Sequence, residues 1–91
     1  MTRGRRVQLS PAAERDLRAL PPGEAARLRG PILGLAADPH PPTSAKLAGT
    51  DFWRLRVGDL RVVYVDEAKA AVVIILRIAR RSESTYRRLR R

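Results

Sequence analysis

The run from Asp51 to Arg81, DFWRLRVGDLRVVYVDEAKAAVVIILRIARR, constrains the chain more than any other stretch. Trp53, Leu55 and Val57 alternate with Arg54 and Arg56, the period of a half-buried strand. Gly58-Asp59 follows, a dipeptide suited to a two-residue hairpin turn. Leu60–Val65 is then the return strand. Ala70–Ala79, rich in Val and Ile, reads as a central third strand. The three form an antiparallel meander.

A two-residue loop fixes the register. It pairs Val57 with Leu60, Arg56 with Arg61 and Leu55 with Val62. One face then carries Trp53, Leu55, Val57, Leu60, Val62 and Tyr64, and the other carries Arg54, Arg56 and Arg61. Like charges directly opposite each other on a sheet cost a few tenths to about 1 kcal/mol. An Arg56–Arg61 pair therefore points to a cluster awaiting an anion, or to a solvated face whose side chains splay apart. On the third strand, the even-numbered Val72, Ile74, Leu76 and Ile78 are expected on the core face. That would place Arg77 and Arg81 with the arginine cluster.

The charge balance fits this. The net charge is +10, from 17 Arg, 2 Lys and 9 acidic residues. Arginine grips phosphate with two parallel hydrogen bonds and stacks on bases, so the excess points to nucleic acid or an acidic protein partner. A coding bias toward Arg would explain part of it. There is no Cys, which excludes disulfides and thiolate metal sites. His40, the one His, lies in a Pro-rich loop and is expected to be solvated. No stretch reads as a membrane span or a signal segment, so a cytoplasmic location is expected.

Before the meander, Met1–Arg6 is a basic start and Val7–Ser10 a short strand. Ser10 can cap a helix that begins at Pro11. Ala13, Leu17 and Leu20 share its inner face, with Arg15, Asp16 and Arg18 outward. Pro21-Pro22-Gly23 ends it. A second helix runs from near Pro22 toward Ala37 on an Ala25, Leu28, Ile32, Leu35, Ala36 stripe. Pro31 is expected to kink or split that helix, since an interior Pro costs about 3 kcal/mol. The two helices should lie as a hairpin on one sheet face. Pro39–Thr50 reads as a loop anchored by Leu47, with Lys46 able to reach a phosphate. The whole chain, residues 1–91, reads as one α+β domain: an antiparallel-rich sheet of a short N-terminal strand and a three-strand meander, a helical hairpin on one face, and a basic C-terminal segment. Seven of the last fifteen residues are Arg, with Tyr86 among them. Such interleaving is either a basic tail or a surface on which bases stack.

WRLRVGDLRVVY, then LRIARRSESTYR, with Lys46–Gly49 as a Lys-Leu-x-Gly element, resembles the RelE/ParE superfamily of bacterial toxins, closer to RelE. The resemblance covers most of the chain and implies the RelE-like fold. It implies a type II toxin that cuts mRNA in the ribosomal A site without metal or cofactor. In that chemistry the ribose 2′-OH attacks the adjacent phosphate. Family positions carry over to Arg61, Arg81 and Tyr86 as catalytic residues and to Arg54 and Arg56 as phosphate contacts. Arg77 and Arg80 are added as further phosphate contacts. Tyr86 would be the base, favoured by nearby arginines that lower its pKa from about 10. Two departures stand out: Arg where relatives often carry Lys on the second strand, and one extra residue between Arg81 and Tyr86. The implied partners are an acidic antitoxin, in a hetero-oligomer, and the ribosome with its mRNA. ParE-like members are implied to poison DNA gyrase instead, and a toxin-fold module without activity is a third reading.

Overall fold

The computed structural model describes residues 4–81. Along them run β1 (Arg6–Leu9), α1 (Pro11–Ala19), α2 (Pro22–Gly34), β2 (Ser44–Lys46), β3 (Phe52–Val57), β4 (Leu60–Glu67), a 3-10 turn at Ala68–Ala70 and β5 (Val72–Arg80). The strands form one sheet in the order β1-β5-β4-β3-β2. β1 lies parallel to β5, and every other pairing is antiparallel. The α+β class expected from the sequence is the one observed.

The β3–β4 hairpin has the expected register. Val57 pairs with Leu60, Arg56 with Arg61 and Leu55 with Val62. Gly58 takes φ +61, as the first position of a II′ turn requires, while Asp59 keeps an ordinary φ. Leu55, Leu60, Val62 and Tyr64 enter the main core with Ala13, Leu28, Ile32 and Leu35 from the helical layer.

β5 departs from the expected alternation. Val63 pairs with Arg77 but Tyr64 pairs with Ile75, so Leu76 is an extra residue in a bulge. One extra residue inverts the side-chain faces. Ile78 joins the helix-side core as expected, but its partners there are Val73 and Ile75. Ile74 and Leu76 instead pack on the opposite face with Phe52, Val63 and Val65. Val72 is buried yet belongs to neither cluster.

Ser10 caps α1 as expected, its hydroxyl accepting from the Ala13 N–H at 3.1 Å. The same hydroxyl donates to the Leu76 carbonyl at 2.9 Å. Asp16, expected to face out, turns to the sheet: its Oδ2 accepts from the Ile78 N–H at 2.8 Å. Helix α1 thus closes the edge of β5 beyond the reach of β1, where unpaired backbone would be left open. Pro31 does not split α2, which runs unbroken through it. The missing N–H would have bonded to Arg27, and both residues are exposed, so water can satisfy the carbonyl. The expected loop 39–50 contains β2, whose Ser44–Lys46 ladder on β3 has too few residues to show a period. Leu47 packs against the second cluster, as its anchoring role required.

Tyr64 is fully buried, and its hydroxyl donates to the Pro39 carbonyl at 2.6 Å. Burial raises its pKa above 10; Asp66 and Asp38 raise it further, against a lowering bond with Ser44. A pKa raised on folding gives a contribution that is whole below the unfolded value and is lost as pH climbs through the folded one. Urea unfolding should therefore show Tyr64→Phe less stable than wild type by about 1 kcal/mol at neutral pH. The gap should narrow above about pH 10. A gap independent of pH would refute the assignment.

Candidate functional site

The face of the sheet away from the helices carries Arg54, Arg56 and Arg61. Arg54 lies opposite Val63, a member of the second cluster, and Arg56 lies directly opposite Arg61. Their side chains differ in freedom. Arg56 is exposed. Arg61 is only 8% exposed, and its Nη1 donates to the carbonyls of Leu60 at 3.2 Å and Gly58 at 3.4 Å. The turn that sets the register thus also aims this guanidinium. Arg54 Nε is buried and has no hydrogen-bond partner among the described residues. A buried donor without an acceptor costs about 1–3 kcal/mol, which an incoming oxygen would relieve. Apolar Phe52, Val63 and Val65 share the face and strengthen any charge contact made there.

The remaining arginines divide. Arg81 is exposed, and its N–H donates to the Asp59 carbonyl at 2.8 Å. Arg81 directly follows β5, and this bond keeps its backbone beside the β3–β4 turn. Arg77 is committed elsewhere: Nε and Nη2 donate to the two oxygens of Asp16 at 2.9 and 3.2 Å. Arg80 pairs across from Leu60, on the helix side. Its two terminal nitrogens donate to the two oxygens of Glu24 at 2.7 and 2.8 Å, and Asp59 lies 3.5 Å away. The hydrogen bond from Arg80 holds the Glu24 carboxyl below its usual value. Arg54, Arg56 and Arg61 therefore share one face, with the Arg81 backbone held at its turn, while Arg77 and Arg80 tie the helices to the sheet. Lys46 pairs with Trp53, on the helix side and away from Arg54. Tyr86 lies outside the described residues.

His40 is not free in solvent. Its ring stacks on Trp53, centroids 4.0 Å apart and 17° from parallel, and Nε2 lies 3.1 Å from Asp66 Oδ2. The other Asp66 oxygen accepts from Arg5 Nε. This cluster pins loop 35–43 and the chain's start to β4; a lone loop His among prolines carries no signal of it. Among the described residues no group of three His, Cys, Asp or Glu could hold a metal, and no helix is long and apolar enough to cross a membrane. Chemically, the arginine face can grip phosphate oxygens and neutralise charge on a pentacoordinate phosphorus.

Comparison with known proteins bears on family and fold. The family model described as ParE toxin of type II toxin-antitoxin system, parDE, matches residues 7–85. A chain of the archaeal RelE–RelB complex from Pyrococcus horikoshii OT3 is 30% identical, with TM-score 0.78 over 89% of this chain and 99% of that one. A chain of the RelBE2 toxin–antitoxin complex from Mycobacterium tuberculosis is 26% identical, with TM-score 0.77 over 86% and 99%. A double mutant of the E. coli toxin RelE in the free state shares the fold at 17% identity, with TM-score 0.79 over 93% and 92%. A search of curated sequences finds no match. With a family model spanning residues 7–85 and RelE-like neighbours that cover 86% or more of it, the chain belongs to the ParE toxin family, within the RelE/ParE superfamily of type II toxin–antitoxin toxins.

Proposed function

We propose that this toxin is a ribosome-dependent endoribonuclease that cuts mRNA in the A site and so stops translation. The observation that carries the reading is the arginine face, with an orphaned buried Arg54 Nε beside a pinned Arg61. In the reaction the 2′-oxygen bonds to the adjacent phosphorus as the bond to the 5′-oxygen breaks. The products are a 2′,3′-cyclic phosphate and a 5′-hydroxyl. Arg54 and Arg56 hold the phosphate, and Arg61 offsets the charge that builds on it. Tyr86, as its phenolate, takes the 2′ proton; Arg81 offsets the charge on the leaving 5′-oxygen, which takes its proton from water. Arginine is a poor acid and the described part of this face offers no second base, so much of the rate falls to the ribosome, which orients the substrate. The protein then works in the cytoplasm, where mRNA is translated.

The partner that restrains it is an acidic antitoxin. Leu17, Leu28, Ile32 and Leu33 line an apolar groove of about 400 Å³ between the helices, with Arg29 at its border. Leu33 is 54% exposed there. An amphipathic segment with an acidic edge fits that chemistry. The ParE family model favours a second reading, poisoning of DNA gyrase. Purified protein added to translating ribosomes should give cuts in the A-site codon. Growth arrest without cuts on any ribosome overturns the nuclease reading, and trapped gyrase–DNA cleavage complexes would establish the second. Absence of toxicity in a suitable host would indicate a module that only binds.

A further inference from the structure

The turn between β3 and β4 holds three arginines by different atoms. Gly58 offers its carbonyl to the Arg61 guanidinium, Asp59 its carbonyl to the Arg81 N–H, and Asp59 its carboxylate to Arg80. Of the three, Arg80 reaches on to another layer, where it meets Glu24 in the first turn of α2 through a two-pronged pair. Two parallel charged hydrogen bonds fix direction as well as distance. The Glu24 side chain is 17% exposed and that of Asp59 67%, so the Glu24 end of the link is the shielded one.

We propose that Glu24 is a positioning residue for the arginine face, acting through Arg80 and the 58–59 turn to hold Arg61 and Arg81 in their places. It touches neither substrate nor the reacting atoms. The inference rests on the nuclease reading for its effect on rate, but the clamp itself is a property of the isolated protein. It also separates two roles for Arg80 that a list of basic residues merges. Were Arg80 a phosphate contact restrained by Glu24, removing Glu24 would free it and speed cleavage. As a strut, Arg80 without Glu24 lets the turn drift, and a drift of about 1 Å can cost up to about 100-fold in rate.

The test compares wild type, Glu24→Gln and Glu24→Ala in two measurements. In the free protein, hydrogen exchange at the Arg81 N–H should quicken about tenfold in Glu24→Ala and less in Glu24→Gln, which keeps one acceptor. On ribosomes, kcat should fall about 10- to 100-fold in Glu24→Ala with KM nearly unchanged, and Glu24→Gln should lie between. Melting curves must stay cooperative; Glu24→Gln serves if Glu24→Ala does not fold. Unchanged Arg81 exchange overturns the clamp, and cleavage that holds or rises overturns the positioning role. Wild-type protein that cuts nothing sinks the nuclease reading alone, since exchange still decides the clamp.

Discussion

Arg61→Ala should lower A-site cleavage by about 10²–10⁴-fold, the usual cost of one positioned charge at a developing oxyanion. The fold should survive. The bonds that Arg61 makes, to Leu60 and Gly58, are long at 3.2 and 3.4 Å, and each is worth about 1 kcal/mol at most. Against that loss stands relief of the like charge of Arg56 directly across the ladder, up to about 1 kcal/mol. The melting temperature should therefore move by only a few degrees while activity collapses. Ribosome affinity should drop, with a salt dependence flatter by about one unit, because one phosphate contact is gone. Arg61→Lys restores charge without the two-pronged grip and should recover only part of the rate. Tyr86→Phe gives the contrasting result: binding and salt slope like wild type, cleavage slowed by a similar factor. If Arg61→Ala cuts normally, the face does not act on phosphate. If Tyr86→Phe does, the base is another group.

The largest effect on stability is expected at Asp16. Its carboxylate takes three hydrogen bonds, two from Arg77 and one from the Ile78 N–H. Its side chain is 17% exposed, so the bonds are partly shielded from water. Asp16→Ala takes two acceptors from the Arg77 guanidinium, leaves the Ile78 N–H without its acceptor and uncovers the edge of β5. Breaking a fully buried pair costs about 3–5 kcal/mol; partial exposure reduces this to about 2–3. For a domain of this size that lowers the melting temperature by roughly 10–20 °C. Asp16→Asn keeps one acceptor oxygen and should lose less. A melting temperature within about 2 °C of wild type would show that α1 holds the edge by packing alone. The resulting protein should also associate more readily, since an open strand edge invites another chain.

What the sequence disclosed follows from range. The hairpin was legible because Gly58-Asp59 fixes a two-residue loop and alternation fixes the faces, all within a dozen residues. The core face of β3 and β4 and the grouping of Arg54, Arg56 and Arg61 came with it. The bulge at Leu76 was not legible, because Val72–Leu76 is apolar at every position and suits either face of a buried strand. β2 escaped notice because three residues on a backbone ladder need no pattern. Asp16 looked outward because a helical wheel knows nothing of a strand N–H 62 residues away. Among 17 arginines, composition cannot tell those paired with Glu24 or Asp16 from those left facing an open sheet; only the three-dimensional position of the acids does.

The parallel pairing of β1 with β5 bears on how the toxin comes into being. Val7 meets Val73 and Leu9 meets Ile75, so β1 waits for a strand that is 66 residues further along the chain. β5 lies between β1 and β4, and β1 cannot join the sheet until it arrives. Contacts this distant along the chain form slowly and late. A ribosome adding about 5–20 residues per second leaves β1 several seconds or more without its partner strand. β5 thus completes the sheet, and the folded toxin exists only from the moment that strand docks between β1 and β4.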